Sequence, residues 1–396
     1  MSKQNNNIIL GLDIGSTSVK IAAADLIDAE ISKGLANISL EISSPLTKNS
    51  FDIDSLKQTI RKGIEQIENQ LAMSFDSEIN AVITLPLHYY ESKIRNVSLD
   101  IDNIVKYDHK LELINKVKEK YSSGIIMHTI PFKYYLDDQE IKNPIGRSGI
   151  ELSADIYVIY YDEYIFEQCK KMFNDLNINV GKYVAPPLSF LNLCQSNLVD
   201  KVKKLIVIDC GGNSSYLYYI YNGSLVKFEA VQVGSDSITN DISIVLKIDR
   251  SYAELFKINE SSLSKQSIGE DLAFNGKLLS RQMLNAVVTA RYEEIIELLE
   301  EKIELDIINF DSEETKFLLL GNGHPQGAKI FFKERWQIEE LSSNYIKNKL
   351  LYITALGNIS YSTNNEIFVP DLLNDTNIFD RILKFFVDLV KLIKVN

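Results

Sequence analysis

Two short segments of this chain carry the residue types that hold a phosphate chain and a metal. They are Gly11-Leu12-Asp13-Ile14-Gly15-Ser16-Thr17-Ser18 and Ile208-Asp209-Cys210-Gly211-Gly212-Asn213-Ser214-Ser215. Each places an Asp at the end of an apolar run, then small hydroxylic residues, then a second apolar run. Glycines let backbone N–H groups approach phosphate oxygens closely. Ser and Thr hydroxyls add donors. A pair of carboxylates suits Mg²⁺, which takes oxygen ligands and keeps several waters. Either segment alone reads as an ordinary hairpin turn. Two of one design, nearly two hundred residues apart and each set between β-rich runs, point to a nucleotide triphosphate. Neither is a GxxxxGK[ST] loop, and no GxGxxG occurs.

Three further pieces suit the same ligand. Val233-Gly234-Ser235-Asp236-Ser237-Ile238-Thr239-Asn240-Asp241-Ile242 is a turn running into a helix. Glu254 and Lys257 stand three apart on one helical face, where they suit ribose hydroxyls, although alone they read as a solvated ion pair. Leu320-Gly321-Asn322-Gly323 follows an apolar strand and offers bare backbone to a flat adenine. The histidines (His88, His109, His128, His324) are far apart, and Cys169, Cys194 and Cys210 form no CxxC. A zinc site or a disulfide framework is therefore not expected.

The elements that must position these groups are strands and helices in alternation. Ile8–Leu12 and Val19–Ala24 read as strands. Leu56, Ile60, Ile64, Ile67 and Leu71 have helical spacing over 54–71, with Asp54 as the expected N-cap. Ala81–Leu85 reads as a buried strand. Residues 86–165 change character, with Tyr-rich alternating segments and a helix near 108–121, and read as an α+β insertion. Glu163–Leu176 and Leu188–Leu198 read as helices, and Val180–Val184, Leu205–Asp209 and Tyr216–Tyr221 as strands. Asn222-Gly223 marks a hairpin. A long amphipathic helix is expected at 281–305 and a buried strand at Phe317–Leu320.

The net charge is −12, so the chain has no basic excess with which to bind nucleic-acid phosphate in bulk. The N-terminus is polar rather than a signal peptide, and no run of 18 apolar residues is present. Residues 363–377 read as a polar linker. Beyond it, 378–394 sets apolar Ile378, Phe379, Ile382, Leu383, Phe385, Phe386, Leu389 and Ile393 against a narrow polar stripe of Asp380, Arg381, Lys384, Asp388, Lys391 and Lys394. Such a helix packs on a core or lies flat on an anionic membrane. Its terminal position, its linker and its basic excess favour the membrane.

Taken together, the ordered pieces resemble the actin-like ATPase superfamily, and within it the FtsA family of bacterial cell-division proteins. The inserted region carries the resemblance best, with His128-Thr129-Ile130-Pro131-Phe132-Lys133-Tyr134-Tyr135-Leu136-Asp137 and Asn143-Pro144-Ile145-Gly146-Arg147-Ser148-Gly149-Ile150-Glu151-Leu152. The resemblance implies a two-lobed actin-like α/β fold with an inserted α+β subdomain and a C-terminal amphipathic helix. The first lobe would comprise 1–85, 166–204 and 350–362, the insertion 86–165, and the second lobe 205–349. ATP and Mg²⁺ would lie between the lobes. Asp13, Gly15, Ser16, Thr17 and Lys20 would face Asp209, Gly211, Gly212, Ser214, Ser215 and Gly234, with Asp13 and Asp209 toward the metal. Glu254 and Lys257 would hold the ribose, and Gly321 and Gly323 the adenosine. Expected partners are FtsZ, a second copy of the chain in a filament and an anionic membrane surface. These place the protein at the division site, on the cytoplasmic side of the cell membrane. The FtsZ contact would fall near 235–310, around Arg281 and Arg291.

The chain departs from the family pattern at Asn213, Ser214, Ser215, Tyr216, Ser235 and Asn322. Vigorous ATPases of the superfamily place a Glu or Gln before the second phosphate turn. Here that stretch is Ala185-Pro186-Pro187-Leu188-Ser189-Phe190. Without a group to orient water, slow or negligible hydrolysis is expected and no catalytic residue is assigned. Competing readings are a pilus-assembly actin-like scaffold, which would lack the basic tail, and a sugar kinase, whose signature is missing from the middle of the chain. A chaperone ATPase would carry a β domain after the second lobe.

Overall fold

A computed structural model describes residues 8–25, 35–44, 46–47, 50–75, 78–119, 124–194, 202–263, 270–304, 315–321, 324–325, 327–334, 336 and 352–363. The chain divides into two compact units. One comprises Met1–Tyr89 with Tyr164–Thr363. The other contains Tyr90–Glu163.

The first unit holds two sheets of related design. In one, β1 (Ile8–Ile14), β2 (Ser18–Asp25) and β3 (Ala36–Glu41) form an antiparallel meander. β4 (Ile79–Thr84) then pairs parallel to β1, and β9 (Ile178–Tyr183) pairs parallel to β4, giving the order β3-β2-β1-β4-β9. In the other, β10 (Lys204–Cys210), β11 (Ser215–Tyr221) and β12 (Ser224–Val231) form the meander. β15 (Thr315–Leu320) pairs parallel to β10. Parallel pairing requires a crossover. Between β3 and β4 the crossover contains α1 (Ile53–Leu71), whose Leu56, Ile60, Ile64 and Ile67 are buried. Asp52 rather than Asp54 caps this helix, accepting from the Ser55 N–H at 3.0 Å, while Asp54 sits in the first turn. Between β12 and β15 the chain forms α5 (Ser235–Leu246), α6 (Arg250–Asn259), the β13–β14 hairpin (Leu272–Phe274, Lys277–Leu279) and α7 (Arg281–Glu304).

The expected turn at Asn222-Gly223 is present. Both residues have positive φ, +47° and +82°, as a type I′ hairpin requires. The start of the first sheet is held by α4 (Pro186–Cys194) and α9 (Ile353–Thr363). A Cβ on Gly11 would lie 1.9 Å from the Ala355 carbonyl oxygen, so α9 rests directly on the β1 backbone. The Asn358 amide donates to the Leu12 carbonyl at 2.8 Å, and its oxygen accepts from Thr84 and Ser189.

The second unit is a four-stranded sheet in the order β5 (Tyr90–Ile104), β8 (Ser148–Tyr161), β6 (Ile125–Leu136) and β7 (Gln139–Ile141), with α2 (Tyr107–Glu119). Its own core contains Val97, Leu99, Leu113, Val117, Leu152 and Ala154. Thr363, expected to open the linker, closes α9, and the rest of the linker and the membrane-facing helix expected at 378–396 lie outside the described residues.

Candidate functional site

The two phosphate-type turns are the loops of the β1–β2 and β10–β11 hairpins. In the first, the Gly15 N–H donates to the Ser18 carbonyl at 2.9 Å. The chain after β3 is strapped onto this turn, with Ile42 N–H donating to Thr17 O and Leu46 N–H to Ser16 O. Asp13 stands opposite Lys20 in the strand register, and the Lys20 ammonium lies 3.1 Å from the Asp13 carboxylate. In the second hairpin, Gly211 N–H donates to Ser214 O at 3.1 Å. Asp209 stands opposite Tyr216, and the buried Tyr218 hydroxyl donates to Asp209 Oδ2 at 2.6 Å.

The turns converge. A Cβ on Gly212 would lie 2.7 Å from Thr17 Oγ1. Gly234 seals the far side, since a Cβ there would lie 2.3 Å from Gly212 O. The first N–H groups of α5, on Ser235 and Asp236, donate to the Gly211 and Gly212 carbonyls and lock the turn to the helix. The Ser215 hydroxyl donates to Val233 O at 2.8 Å and so ties the hairpin to the same junction.

One electrostatic field links the two Asp residues. Burial pushes the Asp209 carboxyl above the usual carboxylate range and Asp13 adds to the rise, against the Tyr218 hydrogen bond and Lys20. Burial lowers the Lys20 pKa, but Asp13 and then Asp209 outweigh it, and the net shift is upward. A single cation thus faces two carboxylates. The hard-oxygen donors Asp13, Asp209, Ser16, Thr17 and Ser214 fit a hydrated Mg²⁺ carried by phosphate oxygens. Two carboxylates do not make a full protein cage, and no cluster of three or more His, Cys, Asp or Glu occurs among the described residues.

At the other end of the site Glu254 and Lys257 differ in exposure. Lys257 is fully buried and donates to Glu254 at 2.7 Å, Thr239 Oγ1 at 3.0 Å and Ser235 O at 3.2 Å. Those contacts fill its three donors. Burial lowers its pKa, against the raising effect of Glu254. The Glu254 side chain keeps 35% exposure and is the member of the pair that faces outward. Gly321 has φ +112°, and a Cβ there would lie 2.5 Å from Cys210 O, so the β15 turn abuts the second phosphate turn through bare backbone. Gly323 lies outside the described residues. A cavity of about 830 Å³ opens on the flank of the turns, lined by Ile42, Ser43, Lys62, Asn213, Asp236 and Arg250 among others. None of the candidate ligand-holding residues lines it.

Comparison with known proteins adds family information. The family model "Cell division protein FtsA" matches residues 206–326, and "SHS2 domain inserted in FTSA" matches 100–160. In these segments the chain resembles the FtsA family of actin-like proteins. It is 26% identical over 347 residues to Cell division protein FtsA of Buchnera aphidicola subsp. Baizongia pistaciae, covering 82% of this chain and 77% of that one. It is 27% identical over 300 residues to that of Helicobacter pylori strain J99, covering 67% of this chain and 59% of the relative. The solved PilM–PilN type IV pilus biogenesis complex aligns with a TM-score of 0.58 at 13% identity, covering 90% of this chain and 98% of that one. MreB 5 of Spiroplasma citri bound to AMPPNP aligns at 0.52 and 11% identity, covering 97% and 99%. These structures establish the actin-like fold.

Sequence reasoning singled out both Asp-bearing turns and the stretch containing Thr239, but gave Thr239 no role and missed Tyr218 and Asn358. Tyr218 was legible in principle. Strand side chains alternate, so Asp209, Tyr216 and Tyr218 share one face of the hairpin. Thr239 bonds Ser235 O one helical turn back as well as Glu254 fifteen positions on, and nothing local marks Asn358, whose partners are 169 to 346 positions away.

Proposed function

We propose that this protein binds ATP with Mg²⁺, assembles into filaments on the cytoplasmic face of the cell membrane and tethers FtsZ there during division, with slow or negligible ATP hydrolysis. The observation that carries the nucleotide reading is the meeting of the two turns at Thr17 and Gly212, with Asp13, Lys20 and Asp209 in one electrostatic field. Lys20 and the turn N–H groups would bind phosphate oxygens. Asp13 and Asp209 would hold the waters of the metal, Glu254 a ribose hydroxyl, and Gly321 the adenosine. Mg²⁺ would supply charge neutralisation for the triphosphate.

The residues that begin α4 argue for weak turnover. Ala185, Pro186, Pro187, Leu188 and Phe190 are buried, and Ser189 is engaged with Asn358, so no carboxylate or amide is offered to a water from this stretch. Filament formation would align many C-terminal helices, whose individual membrane affinity is modest. Arg281 is paired with Glu260 at 2.7 Å and Arg291 with Asp241 at 2.7 Å, so an FtsZ contact at these positions would compete with existing ion pairs.

Calorimetric titration of the full chain with ATP and MgCl₂ tests the central reading, and the absence of binding heat refutes it. Turnover above a few ATP per second would refute the weak-hydrolysis assignment, since ordinary enzymes run at roughly 10 per second. Vesicle co-sedimentation should be lost on deleting 378–396.

A further inference from the structure

The two Asp-bearing hairpins are built alike but hold their carboxylates differently. On β1–β2 the residue opposite Asp13 is a cation, Lys20. On β10–β11 the residue opposite Asp209 is Tyr216, and the next residue on the same face is Tyr218. Tyr218 is 1% exposed, yet its hydroxyl reaches Asp209 Oδ2 at 2.6 Å. A phenol can donate one proton, and this one goes to a carboxylate oxygen. Such charge-assisted bonds are short and strong, and they fix the plane of the acceptor.

We propose that Tyr218 is a positioning residue of the nucleotide site: its hydroxyl occupies Oδ2 of Asp209 and fixes the carboxylate so that Oδ1 is left to receive the hydrated metal that accompanies the nucleotide. This rests on the ATP–Mg²⁺ reading above. The geometry supplies three parts of the argument. Tyr218 is the side-chain donor to Asp209 among the described residues. Its ring is immobilised in the core, so the hydroxyl is a fixed point rather than a swinging arm. Lys20, the nearby ammonium, is engaged with Asp13 and contacts Asp209 only through the field. Asp209 therefore owes its orientation to the phenol, whereas Asp13 owes its own to a cation. An aspartate that binds Mg²⁺ through water needs a defined oxygen direction, because Mg²⁺ demands near-ideal octahedral geometry. Fixing the ligand from behind is how outer groups tune a metal site.

The test uses the full-length protein, a fluorescent ATP analogue and a MgCl₂ titration at constant ionic strength, with an EDTA baseline. Tyr218→Phe keeps the ring and removes the hydroxyl. It should raise the Mg²⁺ concentration for half-maximal nucleotide binding about tenfold, the size expected from one hydrogen bond to a charged group. Nucleotide affinity in EDTA should stay within about twofold. In an Asp209→Asn background the same substitution should no longer move the Mg²⁺ midpoint. A purely structural tyrosine would lower the melting temperature and leave the Mg²⁺ midpoint where it was. If wild type responds to Mg²⁺ and Y218F shows the same midpoint, the inference falls and the nucleotide site stands. If wild type binds no nucleotide in either condition, both fall. Should Y218F fail to fold, Asp209→Glu decides. Its longer side chain keeps the charge but displaces the carboxylate from the phenol, so the midpoint should rise by a similar factor. An unchanged midpoint overturns the assignment.

Discussion

The β1–β2 and β10–β11 hairpins put the same residue at the same place and stabilise it in opposite ways. Asp13 faces the Lys20 ammonium at 3.1 Å, and Asp209 faces two tyrosines, one of them hydrogen-bonded at 2.6 Å. In the first hairpin the charge is neutralised within the nucleotide-free fold. In the second it is buried beside a neutral donor, and its ionisation is opposed by burial and by Asp13. The first carboxylate is thus a stabilising element of its sheet. The second is held at a cost that a bound cation would relieve. Duplicated architecture does not dictate duplicated electrostatics, because one cross-strand neighbour changes the sign of the contribution.

The largest effects should come from the backbone contacts that anchor each hairpin. Gly11→Ala drives a Cβ to 1.9 Å from the α9 backbone. It should cost about 3 kcal/mol or more, read as a lowered midpoint in chemical denaturation. Gly234→Ala, whose Cβ would meet Gly212 O at 2.3 Å, should instead act on the second turn and weaken nucleotide binding by roughly a hundredfold in calorimetry. Equal effects of both substitutions on denaturation and on binding would erase the distinction between a strand anchor and a turn seal.

Next in size is the contrast between the acids themselves. In nucleotide-free protein, Asp13→Asn leaves the largely buried Lys20 without its ion-pair partner and should cost about 1–2 kcal/mol. Asp209→Asn keeps an acceptor for Tyr218 while removing a buried charge, so stability should be unchanged or rise by up to about 1 kcal/mol. Both should raise the Mg²⁺ concentration needed for half-maximal nucleotide binding without abolishing it. Similar losses of stability from the two substitutions would break the comparison.

The same contrast predicts losses of stability in two separate pH windows, in EDTA and without nucleotide. Lys20 is raised in the folded state above 10.5, so its stabilising contribution is complete below pH 10.5 and is lost as pH rises through the folded value. Asp209 is also raised, but it is an acid. Its folded state resists ionisation, so its contribution falls as pH rises from 3.8 to the folded value and stays lost above it. Denaturation midpoints followed from pH 4 upward should therefore fall less steeply in D209N than in wild type. The smallest effect concerns Ser215. Removing its hydroxyl with Ser215→Ala leaves the Val233 carbonyl short of one donor and should cost about 1 kcal/mol in thermal denaturation. Nucleotide affinity should change little if the hydroxyl serves the junction rather than the phosphates.

Much of this was legible in the amino-acid order because it is local. Apolar runs ending in Asp-x-Gly or Asp-x-Gly-Gly specify strands and turns by short-range sterics, and β1, β2, β10 and β11 lie where those patterns place them. The Asn222-Gly223 turn is set by the tolerance of both residues for positive φ. The stretch 86–165 stands out in the sequence by its change of composition, and Tyr90–Glu163 lie in one compact unit. Other features were hidden. β5, fifteen residues of mixed polar and apolar character, gains its regularity from pairing with β8 rather than from its own pattern. The α1 cap moved from Asp54 to Asp52 because the helix begins two residues earlier, at Ile53, where the Asp52 side chain can reach the Ser55 N–H.

The order of residues determined which groups are available: two Asp-bearing turns, glycines where backbone must come close, and no carboxylate or amide in the stretch from Ala185 to Phe190. Their alternation also determined which side chains share a strand face. The tertiary structure decided what each group does. It set Thr17 against Gly212, turned Lys257 inward to support Glu254, and aimed the Tyr218 phenol at Asp209. Desolvation and the direction of a hydrogen bond depend on everything packed around a group, and that surrounding is assembled from segments hundreds of residues apart.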